Sequence, residues 1–128
     1  MNQKTPLKDN FLNYDEAIAA KSYGFNESSD IVYVGEGNNI ETLSTLVMAW
    51  DGKTPYCFKN TVSLFFNWLR EYKAINVYIP FNFCTNKWQY EIQRNKSNNN
   101  LYVISDKCYN SYDEALHNAI SYVINQLL

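Results

Sequence analysis

Residues 61–73, TVSLFFNWLREYK, limit what this chain can fold into more than any other stretch. At about 100° per residue, Val62, Leu64, Phe65, Phe66, Trp68, Leu69 and Tyr72 cover more than half of a helical wheel. Ser63, Asn67, Arg70 and Glu71 fill the remaining arc. Asn60 or Thr61 is placed to cap the amino end, and Arg70 and Lys73 suit the negative carboxyl end of the helix dipole. A helix with this much apolar surface cannot lie alone on a protein's exterior. It needs pleated sheet or other helices around it, and Phe65, Trp68 and Leu69 are expected beneath strands supplied by both halves of the chain.

The rest of the chain has the material for this. Its 128 residues suit one domain large enough to bury a core without disulfides or metal. Aromatic residues make up 16%, with 11 tyrosines, side chains equally suited to a core edge and to an interface. The net charge of -2 provides no global field to attract nucleic acid or an anionic membrane. Cys57, Cys84 and Cys108 are widely spaced, and with His117 as the only histidine no zinc pattern can be assembled. The first ten residues lack the apolar centre of a signal peptide, and no apolar run reaches the length of a membrane span. A cytoplasmic protein with free thiols is expected.

Taken in order, residues 1–12 read as a loose polar lead-in. NYDEAIAAKSYG, from Asn13, is a short helix in which Asn13 and Glu16 form a capping box. Gly24 stands where a left-handed residue ends the helix, with Phe25 folding back on the last turn. IVYV (31–34) is a strand, and GEGNN a loop. Residues 40–50 fit helix or strand, and strand is favoured over 44–50. Asp51-Gly52 then makes a hairpin turn into a second strand, PYCF. Beyond the central helix, Val77, Ile79, Phe81 and Phe83 share a face, with Pro80 marking an edge or a bulge. Trp88, Tyr90 and Ile92 alternate with polar residues, RNKSNNN is a loop, and LYVIS (101–105) is the last strand. Ser111 with Glu114 caps a final helix striped by Tyr112, Ala115, Leu116, Ala119, Ile120, Val123 and Leu127. The expected fold is α+β, an antiparallel sheet of about five strands covered by the central and C-terminal helices, with a short N-terminal helix.

No catalytic, metal or cofactor residue emerges from these patterns. The loop Gly35-Glu36-Gly37 is the weak exception, because a glycine turn after a strand can cradle the phosphate of a nucleotide or hold S-adenosylmethionine. It lacks both G-x-G-x-x-G and G-K-[ST]. A catalytic cysteine would need His117 as its base. Asp15-Glu16 and Asp113-Glu114 fit helix starts better than a convergent acid pair, and His117 sits one position off the apolar stripe with no role assigned. Residues 61–128 share the element order of double-stranded-RNA-binding domains. However, NSYDEA stands where those domains place the lysines that grip phosphate. Trp88 and Tyr90 could make an RNA-reading sheet face, but sharing that face with Ile92 assigns them to the core.

Several segments, AIAAKSYGFNE (17–27), the block from Pro55 to Lys73, KWQYEI (87–92) and SYDEALHNAI (111–120), together resemble a family of small uncharacterised proteins of phages and prophages of gut bacteria. The resemblance covers nearly the whole chain and departs at Ser28-Ser29, where members often carry Pro-Cys. It implies a phage setting and a single domain, without an activity to carry over. The expected function is that of a non-enzymatic accessory protein, without cofactor, that binds a host or phage protein and forms an oligomer. Nucleotide or S-adenosylmethionine binding and nucleic-acid binding are the alternatives.

Overall fold

The computed structural model describes residues 10–35, 39–53, 55–96 and 99–128. The elements in chain order are α1 (Tyr14–Ser22), β1 (Ile31–Val34), β2 (Asn39–Thr42), α2 (Leu43–Ala49), β3 (Tyr56–Phe58), α3 (Val62–Trp68), β4 (Ile75–Tyr78), β5 (Phe81–Asn82), β6 (Lys87–Trp88), β7 (Glu91–Arg94), β8 (Leu101–Ile104) and α4 (Tyr112–Tyr122). Helices α3 and α4 each run on into a wider π-type turn, at Leu69–Lys73 and Val123–Leu127. The fold is α+β with antiparallel pairing throughout. The strands divide into two three-stranded sheets, β2-β1-β3 and β4-β7-β8, and a two-stranded ribbon, β5-β6.

One core joins these parts. Val62, Phe65 and Leu69 of the central helix are buried, with Phe65 and Leu69 wholly enclosed. Around them pack Tyr33 and Cys57 of the first sheet, Ile75, Val77 and Ile92 of the second, and Leu116, Ala119, Ile120 and Val123 of the last helix. Trp68 is half-buried, stacked on Phe65 at 5.9 Å and tilted against Phe25 at 5.5 Å. Leu64 and Tyr72 face solvent, so the buried stripe is narrower than the sequence suggests.

The helix ends follow the expected chemistry. The Asn13 side chain accepts from the Glu16 amide at 2.8 Å while the Glu16 carboxylate accepts from the Asn13 amide at 2.9 Å. Gly24 is left-handed, at φ 103°, and the Phe25 amide returns to the Ala20 carbonyl at 3.0 Å. Ser111 accepts from the Glu114 amide at 3.1 Å.

Two further expectations change. Residues 44–50 are not a strand: the strand lies earlier, at 39–42, and α2 follows. Thr42 decides this, because its hydroxyl accepts from the Thr45 amide at 3.3 Å and so starts a helix where the apolar pattern alone was ambiguous. Asp51-Gly52 therefore turns the chain from α2 towards β3, with Gly52 left-handed at φ 78° and Asp51 accepting from the Lys53 amide. The lead-in is also not loose throughout. Residues 1–9 lie outside the described part, but Leu12 is fully buried and Phe11 pairs with Thr61. The Leu12 amide donates to Asn60, and the Val62 amide donates to Asn10.

The second half contains one long hairpin with a kink. Tyr78 pairs with Glu91 and Phe81 with Trp88, so the register is the same before and after Pro80. Proline has no amide hydrogen and interrupts the ladder there, while its carbonyl still accepts from Gln89 at 3.0 Å. The inner half, β4 and β7, belongs to the second sheet. The outer half, β5 and β6, projects towards the start of α4, where Trp88 and Tyr109 exchange backbone hydrogen bonds.

Candidate functional site

The ionisable groups that converge best are Glu16 and His117. Glu16 is at the third position of α1, where its carboxylate serves the capping box, and His117 lies on α4. The His117 Nδ1 is 2.7 Å from Glu16 Oε2 and 2.9 Å from Oε1, with side-chain exposures of 35% and 9% for the imidazole and carboxylate. A carboxylate only accepts, so Nδ1 carries the hydrogen and Nε2 is the ring atom left for other partners. Among the described residues, the hydrogen-bond partner of the imidazole is Glu16. The pair joins the first and last helices and resembles the orienting half of a catalytic triad without its nucleophile. Sequence spacing assigns His117 no role, because its partner lies 101 positions away. The one available signal was a capping-box glutamate able to serve two donors.

The cysteine–histidine alternative finds no support at Cys57. Burial pushes that thiol above its ordinary range, with Lys21 opposing, and a nucleophile needs the reverse. Burial likewise raises Tyr33, helped by the charges of Cys57 and Glu16, and Tyr33 donates to the Leu12 carbonyl at 2.6 Å. Asp15 and Glu16, like Asp113 and Glu114, stand in first helical turns. Among the described residues, no three His, Cys, Asp or Glu side chains are grouped to hold a metal. Among the described residues, no helix is long and apolar enough to cross a membrane.

Of the glycine loop, Glu36 and Gly37 lie outside the described residues. Gly35 is left-handed, at φ 78°, which glycine adopts freely. Its amide donates to the Pro55 carbonyl at 2.8 Å and its carbonyl accepts from the Tyr14 hydroxyl at 3.2 Å. Both backbone groups are thus engaged within the fold. The loop connects two antiparallel strands, β1 and β2, and not a strand to a helix whose dipole could face a phosphate. A cavity bounded by Leu12, Ala17, Phe25, Cys57 and Asn60 measures about 10 Å³, room for one water at most.

The aromatic residues suggested for nucleic acid are mostly spoken for. Tyr90 is buried, stacked on Tyr109 and tilted against Tyr122, and Trp88 meets Phe81 and Tyr112 edge-on. On the second sheet's outer face, Tyr78 and Tyr102 are exposed beside Glu91. The Tyr102 hydroxyl hydrogen-bonds to that carboxylate, which raises the pKa of the phenol. An acid at the centre of that face disfavours a phosphate backbone.

Around β2 and α2, several apolar side chains are open to solvent. Val47 is 72% and Met48 88% exposed, with Ile40 on β2 and Trp50 just past the helix also open to solvent. Val47, Met48, Leu43 and Ile31 line an open depression of about 670 Å³ whose polar rim is Asp30 and Thr42. No protein-family model matches the chain, and no curated protein or solved structure matches it.

Proposed function

We propose that the chain is a non-enzymatic binding protein whose α2 face docks on an apolar segment of another protein, in the setting of a phage or prophage accessory protein acting in a bacterial cytoplasm. One observation carries the reading. Val47 and Met48 are consecutive, largely exposed and at the edge of an apolar depression, on a helix whose buried anchor is Leu46. Soluble monomers seldom leave such patches open, and a rim of polar groups around an apolar centre is the usual anatomy of an interface.

The test compares the full chain with a Val47→Asp, Met48→Asp double variant. Both would be immobilised and used for capture from a bacterial host lysate, with a photo-crosslinker placed near α2. The expected result is a reproducible crosslinked partner, a host or phage protein or a second copy, lost in the double variant while thermal stability is retained. Identical captures by the two proteins, or a crosslink-free monomer, would overturn the reading.

A further inference from the structure

We propose that Cys84 and Cys108 form a redox-responsive pair, able to close into a disulfide that ties the tip of the long hairpin to the segment entering α4. The two are far apart in sequence, and the fold brings their neighbourhoods together. Asn82 accepts from the amides of both Cys84 and Thr85, at 2.9 and 3.3 Å, which curls the hairpin tip. The Thr85 hydroxyl then reaches Cys108 Sγ at 3.9 Å. Cys108 is held from its other side, because its neighbour Tyr109 exchanges both backbone hydrogen bonds with Trp88 of the same hairpin. Cys84, next to Thr85, is exposed, and Cys108 is partly so. A disulfide needs Cα atoms about 4.4–6.8 Å apart, and the exposed four-residue turn Phe83–Asn86, which carries Cys84, is the segment whose movement would set that distance. Cys57 takes no part, being 2% exposed in the core.

The oxidant is a low-molecular-weight disulfide of the glutathione class. The more exposed Cys84 thiolate attacks one of its sulfurs, that S–S bond breaks, and one thiol leaves with a proton. The Cys108 thiolate then attacks the Cys84 sulfur of the mixed disulfide and expels the second thiol. Two electrons pass from the protein thiols to the small disulfide, and one intramolecular S–S bond remains. Because Phe83 is adjacent to Cys84 and 88% exposed, closure would also fix that ring beside the Phe81–Trp88–Tyr112 cluster.

The experiment equilibrates the full chain with graded mixtures of reduced and oxidised glutathione, quenches with acid, alkylates and reads mass before and after tryptic digestion. Cleavage at Lys87, Arg94, Lys96 and Lys107 separates the two cysteines, so only a disulfide can hold their peptides together. The expected product is a monomer lighter by two hydrogen atoms, with peptides 74–87 and 108–128 joined and Cys57 alkylated only after denaturation. Cys84→Ser and Cys108→Ser should each abolish the joined peptides and leave a glutathione adduct on the remaining partner. Separate adducts on both cysteines at every ratio, or linkage only between chains, would overturn the proposal.

Discussion

Helices α2 and α3 begin alike and end up in opposite surroundings. Each has seven residues, and each is capped by a threonine whose hydroxyl accepts from the amide three residues on, at 3.3 Å for Thr42 and 3.2 Å for Thr61. Both are rich in apolar residues. Yet α3 encloses Phe65 completely, while α2 leaves Met48 almost bare. Capping chemistry thus determines that a helix starts, and the spacing of apolar residues determines whether it can be enclosed. In α3 and the turn that continues it, Val62, Phe65 and Leu69 recur at three and four residues and fall on one face. In α2, Leu46, Val47 and Met48 are consecutive, about 100° apart on the wheel, and only Leu46 is buried.

The contrast can be broken most forcefully at its centre. Phe65→Ala should lower unfolding stability by about 3–5 kcal/mol in chemical denaturation, whereas Met48→Ala should change it by less than about 0.5 kcal/mol. Comparable losses for the two would mean that α2 is part of the core after all. Next in size is the tie between first and last helices. Glu16→Ala leaves the Asn13 amide and the His117 imidazole without their acceptor and should cost about 1–3 kcal/mol. His117→Ala keeps the capping box and should cost less, because the imidazole is one-third exposed. A double-mutant cycle on the same denaturation curves isolates the pair.

The two caps sharpen the comparison further. Thr61→Ala should cost about 1 kcal/mol of global stability, since α3 unfolds only with the core. Thr42→Ala should instead speed hydrogen exchange over α2 while the global midpoint stays within about 0.5 kcal/mol. The smallest effect is silent at neutral pH. Burial raises the pKa values of Cys57, Tyr33 and Tyr90, so the native state holds these protons more tightly than the unfolded chain does. The stability they contribute is complete below the ordinary thiol and phenol values and falls as pH rises through the native ones. Thermal midpoints should therefore drop from about pH 8.5 upward, first through the thiol. Cys57→Ala should remove the first part of that decline.

Much of this was legible from local chemistry. The capping box at Asn13, the left-handed Gly24 and the apolar stripe of the last helix each depend on residues within one or two turns. The first two form as expected, and the stripe is buried from Ala115 to Val123, with Tyr112 exposed and Leu127 half-buried at its ends. The failures involve distance or competition. Residues 44–50 carried two periodicities, and the Thr42 cap favoured helix. Leu12 lay behind a polar run, and its burial comes with backbone pairing of Leu12 to Asn60 and of Asn10 to Val62, which no local pattern records. The Glu16–His117 contact required knowing that the first and last helices are neighbours. Of the glycine loop, only Gly35 could be followed, and its amide and carbonyl already have partners inside the protein.

The interruption at Pro80 gives the long hairpin two unequal tolerances. Adding a residue within β4 would slide it against β7 and turn Val77 away from the core while Ile92 stayed in it, since side chains alternate with a period of two. Extra sequence between Phe83 and Asn86 would lengthen a solvent-facing connection, at a cost that grows with the logarithm of its length, and would loosen the Thr85–Cys108 contact without touching the core. The hairpin tip is therefore where lineage-specific extensions, epitope tags or fluorescent fusions can be accommodated while the rest of the chain keeps its shape.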